Sequence, residues 1–117
     1  MTLNERLDRI AAILEQNKAE DIEIFNLEET DYMANGVVIA TALADRHLNA
    51  LLDFLKTDLK PLGEQFLHAD SSDEWIVVDL GDILVHIMGK QARQKYHMEE
   101  FLREFEAKKN STQEPAE

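Results

Sequence analysis

The chain predicts an α/β fold with mixed α and β elements: one mixed β-sheet flanked by helices. Three observations carry this expectation. Residues 75–88 read as two short strands around a tight turn. Residues 36–42, GVVIATA, combine small and β-branched residues without alternation, as a central strand covered on both faces does. Apolar residues at helical spacing recur near the start, the middle and the end of the chain.

The elements follow in order. Thr2 and Glu5 form a capping-box pattern, and Leu3, Leu7, Ile10, Ile13 and Leu14 then recur at helical spacing, predicting a helix over 3–17. A strand is expected over 21–27 (DIEIFNL). The polar segment 28–35, with room for one helical turn, leads into the central strand. Asp45 is placed to start a helix whose stripe is Leu48, Leu51, Leu52, Leu55 and Leu59, and Pro61 and Gly63 end it. Residues 68–74 (HADSSDE) are expected to be a polar loop. The final helix is expected over 91–108, with Met98, Phe101, Leu102 and Phe105 on one side. Residues 1–109 are therefore read as a single domain and residues 110–117 as a frayed tail.

The hairpin is the most informative stretch. If Gly81-Asp82 is its two-residue loop, Leu80 faces Ile83, Val78 faces Val85 and Ile76 faces Ile87, an aliphatic face suited to a core. The opposite face carries Trp75 across from Met88, Val77 across from His86, and Asp79 across from Leu84. An indole, an imidazole, a carboxylate and a thioether together have the composition of a recognition surface. Arg93 and Tyr96, three residues apart on the following helix, extend it. The competing expectation is that a helix docks on this face and makes it ordinary core.

Charge narrows the function classes. Twenty-four acids against twelve bases leave a net charge of −12. The excess lies in the body of the chain and not in its tail. Direct nucleic-acid binding needs a basic footprint, and the longest basic cluster is Lys108-Lys109. An acidic body suits association with a basic protein, while on charge alone the more common explanation is that acidity keeps the chain in solution. The absence of cysteine removes a disulfide scaffold, a thiol nucleophile and a cysteine zinc site. No apolar run approaches membrane-spanning length, and the N-terminal residues lack the features of a targeting signal, so a cytoplasmic location is expected.

Catalytic constellations are weak. Asp79, Asp82, His86 and His97 are the candidate ligands or acid–base groups, but Asp82 falls in the turn and Asp79 and His86 sit diagonally. That supplies two ligands where a hydrolytic metal site needs three. No Gly-rich phosphate loop or nucleophile elbow is present. The expectation is a non-enzyme without metal or cofactor. The alternative is a metal-dependent or nucleotide-handling enzyme using Asp79 and His86.

The same residues carry a family resemblance. Trp75, Asp79, Gly81, Asp82, Val85 and His86, followed by Arg93, Tyr96, Met98, Glu99 and Phe101, resemble the signature of the ribosomal silencing factor, or iojap-like, family. Upstream, Lys18-Ala19-Glu20-Asp21-Ile22 and the segment from Tyr32 to Thr41 are similar to two further family motifs, and Arg46 and Ala50 also match. The chain departs from the pattern at Asn35-Gly36, Ala42 and Leu102. The resemblance implies a nucleotidyltransferase-like core without that fold's catalytic motifs. It also implies a translational repressor that binds the large ribosomal subunit through its universal protein number fourteen, blocks joining of the small subunit, and tends to homodimerise, with the hairpin face as a homodimer seam being the rival expectation. Trp75, Asp79, His86, Met88, Arg93 and Tyr96 are the expected partner-binding residues, with Gly81 and Asp82 shaping the turn.

Overall fold

A computed structural model describes residues 1–72 and 74–113, with side chains described through Lys108. The elements are α1 (Leu3–Gln16), β1 (Glu20–Asn26), β2 (Gly36–Ala42), α2 (Asp45–Leu59), a 3-10 turn (Lys60–Leu62), β3 (His68–Ser72), β4 (Trp75–Asp79), β5 (Ile83–Gly89), α3 (Lys90–Tyr96) and α4 (Met98–Gln113). The strands form one mixed sheet in the order β1-β2-β5-β4-β3. Only the central β2–β5 pair is parallel; the other three pairs are antiparallel.

β2 is buried along its whole length, as a strand with apolar residues on both sides requires. Val38, Ala40 and Ala42 join the aliphatic face of the hairpin, Ile76, Val78, Val85 and Ile87, beneath Leu7, Ile10 and Leu14 of α1 and Leu48, Leu51 and Leu55 of α2. Val37 and Ile39 point the other way, into a smaller core with Phe25, Leu27, Met88, Ala92 and Leu102. The sheet is thus sandwiched, with α1 and α2 on one face and α3 and α4 on part of the other.

Local chemistry sets the element ends. The Thr2–Glu5 capping box forms as expected. Gly36 opens β2 where a Cβ would lie 2.8 Å from Leu7 Cδ2, so its lack of a side chain lets α1 settle on the sheet. Gly63 ends the 3-10 turn with φ +94°.

Four expectations are corrected. Residues 68–72 are not a loop but the edge strand β3, paired with β4 from His68–Asp79 to Ser72–Trp75. Its side chains are mostly exposed, so backbone pairing holds it and composition does not reveal it. The remaining members of that expected loop are Asp73, outside the described residues, and Glu74, in a turn with φ +59°. The final helix is two helices, because His97 takes a left-handed conformation (φ +49°). His is among the residues that tolerate this region, and the His97 carbonyl accepts from the N–H groups of Glu100 and Phe101 to begin α4. Residues 110–113, expected in a tail, continue α4; residues 114–117 lie outside the described residues. The segment 28–35 forms one non-helical turn, closed by the Thr30 N–H donating to the Leu27 carbonyl (3.2 Å) with Glu29 at φ +65°, and then a run of bends.

One ion cluster ties three distant segments together. Arg6 on α1 donates two hydrogen bonds to the Glu64 carboxylate (2.8 and 2.9 Å) and two to Asp82 in the hairpin turn (2.7 and 2.9 Å). This paired geometry is the strong form of carboxylate recognition. It holds the Asp82 carboxyl below its ordinary range. The Asp82 carbonyl also accepts from the N–H groups of Asn35 and Gly36. Asp82 therefore anchors the start of β2 as well as shaping a turn. Arg6→Ala leaves two neighbouring carboxylates without their cation and should destabilise the fold by about 2 kcal/mol in urea unfolding at neutral pH. The difference should shrink under acid conditions, where Asp82 loses its charge.

Candidate partner-binding face

The hairpin register is the expected one: Trp75 pairs with Met88, Val77 with His86 and Asp79 with Leu84. β3 adds a third row, because Ser72, Asp70 and His68 pair with Trp75, Val77 and Asp79 and so share their face. No residue of β3 was picked out by sequence, since its polar composition hides the strand.

The face divides in two. Met88 is fully buried, His86 is 5% exposed and Arg93 is 8% exposed. These three expected contact residues are inside, because α3 and α4 dock on the β1–β2–β5 part of the sheet. Arg93 is the clamp. Its Nη1 donates to the Asp21 carbonyl (2.7 Å) and to Thr41 Oγ1 (2.8 Å), its Nη2 to Glu23 (2.9 Å) and its Nε to Glu99 (3.2 Å). Arg103 joins through a further bond to Glu23. The competing expectation of a docked helix holds for this half.

The other half is open. Trp75, Val77, Asp79 and Leu84 are partly exposed, and Tyr96 at the end of α3 is 49% exposed. The Trp75 and Tyr96 rings lie 4.8 Å apart in a tilted stack, and Lys95 Nζ sits 5.3 Å from the Tyr96 ring. Trp75 is held from beneath: its indole N–H donates to His86 Nδ1 at 3.0 Å. Asp79 accepts from the N–H of Gly81 at 2.8 Å, which supports the turn where Gly81 adopts φ +97°. Asp79 thus serves the turn and also borders the open face. Among the described residues, no three His, Asp or Glu side chains converge on a point that could hold a metal. No helix among them is long and apolar enough to cross a membrane.

Comparison with known proteins supplies the family. The profile described as "Ribosomal silencing factor during starvation" matches residues 1–117. The chain belongs to the ribosomal silencing factor family. The Haemophilus influenzae silencing factor is 33% identical over 84 residues, covering 70% of this chain and 82% of the relative. A Chromobacterium violaceum crystal structure superposes with a TM-score of 0.78 at 28% identity, covering 87% of each chain. A mouse protein named "Mitochondrial assembly of ribosomal large subunit protein 1" is 26% identical over 107 residues, 86% of this chain and 47% of that longer one. Within this silencing-factor fold the motif residues now have distinct places. Trp75, Asp79 and Tyr96 border the open face, whereas His86, Met88 and Arg93 hold it up.

His86 makes the support pH-dependent. With Nδ1 accepting from Trp75, the ring proton belongs on Nε2, which is buried without a hydrogen-bond partner. Burial pushes the imidazole pKa down to about 4 from its ordinary 6.5. The unfolded chain therefore binds a proton between these values that the folded chain refuses. Stability is full above about pH 6.5 and falls as the pH drops toward 4. In urea unfolding from pH 7 to pH 4, the wild type should lose about 3 kcal/mol more than His86→Gln, with Trp75 fluorescence as the readout.

Proposed function

We propose that this protein represses translation by binding the large ribosomal subunit through its open β3–β4 face and sterically blocking the small subunit from joining. The partner surface is the universal large-subunit protein number fourteen, a basic protein, and the complex works in the cytoplasm. The observation that carries the reading is the uncovered half-face: a Trp75–Tyr96 stack, flanked by Val77 and Leu84 and bordered by Asp79 and Asp70.

Aromatic anchors ringed by charge are the arrangement in which a few residues carry most of a protein–protein affinity. Asp79 is positioned to meet a Lys or Arg across the contact, and the net charge of −12 favours encounter with a basic surface. The name of the mouse relative, which refers to the large ribosomal subunit, points the same way. A homodimer through this face would bring like-charged carboxylates together, so the basic partner fits better. The mechanism is occupation of space and needs no reacting group.

Co-sedimentation with isolated large and small subunits tests the proposal. The protein should pellet with the large subunit alone and suppress formation of joined ribosomes. Tyr96→Ala removes exposed ring area without touching the buried Arg93 clamp and should weaken binding by about 2 kcal/mol. Asp79→Lys should abolish the pelleting. Equal pelleting with both subunits, or unchanged affinity in both variants, would contradict it.

A further inference from the structure

β3 is an edge: no strand among the described residues pairs beyond it. Its five residues pair in unbroken register with β4, so no bulge twists the outer edge away. Its sequence, HADSS, contains neither of the usual guards of an exposed edge, lysine and proline. Its side chains are largely exposed. The edge therefore offers a row of backbone N–H and C=O groups to another chain.

Charge determines which chain it can admit. From Pro61 to Gly89 there is no Lys or Arg, while Glu64, Asp70, Asp73, Glu74, Asp79 and Asp82 are all acidic. A second copy of β3 would bring Asp70 against Asp70, and like charges across a strand pair are destabilising. The acids guard the edge against self-association and leave it open to a strand of opposite sign.

We propose that an extended basic segment of the partner protein adds to the β3 edge as a sixth strand, continuing the sheet beyond the Trp75 face. This inference rests on the large-subunit reading above and specifies how the partner is held. The added strand supplies a backbone ladder, and its alternate Lys or Arg side chains meet Asp70 on the same face as Asp79 and Trp75. Backbone pairing then fixes the register of the contact, while the aromatic stack supplies a neighbouring anchor.

Residue-resolved hydrogen exchange on the full chain, free and bound to isolated large subunits, tests the proposal. In an antiparallel edge strand only alternate N–H groups already bond inward; the others face out. Strand addition should slow the outward-facing amides of residues 67–72 at least tenfold in the complex. Asp70→Lys should remove that protection and weaken pelleting at least fivefold, with Trp75 fluorescence unchanged as the check on folding. Pelleting with no slowing in 67–72, or slowing confined to residues 75–79 and 93–97, would overturn strand addition and leave the large-subunit reading standing. Failure to pellet with the large subunit would overturn both.

Discussion

Arg93 is 8% exposed, so it can stay in the interior only if acceptors meet its guanidinium on several sides. Those acceptors come from three elements. Asp21 and Glu23 lie on β1, Thr41 on β2 and Glu99 on α4, while Arg93 itself lies on α3. The Asp21 carbonyl is available because β1 bulges between Glu20 and Glu23, with Asp21 at φ +48°. Satisfying this one charge pins α3 and α4 over β1 and β2. The helices cannot also cover β4 and β3, so the rest of the face stays in solvent.

That division gives one hairpin two kinds of residue on the same face. Near the clamp, Met88 and His86 are core; toward the edge, Val77, Asp79 and Leu84 are half open. Trp75 joins the two regions, bonded to buried His86 below and stacked with exposed Tyr96 beside it. A buried imidazole that cannot readily take a proton is a fixed acceptor, and it holds the indole in place at the border of the open face. On the opposite face the Arg6 cluster performs the matching task, locking the hairpin turn to α1 and to the start of β2.

Much of this was legible in the chain itself. The hairpin register followed from Gly81-Asp82 and the two-residue alternation, and full burial of β2 followed from its small and β-branched composition. Two features were not legible. β3 is held by backbone pairing with β4, and backbone bonds leave no trace in a sequence such as HADSS. The break at His97 has no Gly or Pro to announce it, and helical spacing runs through it unaltered. The site was half legible for a related reason. Trp, His, Met and Arg occur together both in interfaces and in cores, and only the docking of α3 and α4 decides which of them remain outside.

We propose that the open half of this sheet face, continued at its border by the β3 edge, is where the large ribosomal subunit is met. A photo-crosslinking amino acid placed singly at Val77 and at Phe54, an exposed position on the opposite layer, tests it most directly. Irradiation of each variant with large subunits should link position 77 to a basic large-subunit protein and leave position 54 unlinked. Adducts from position 54, with none from position 77, would contradict the account.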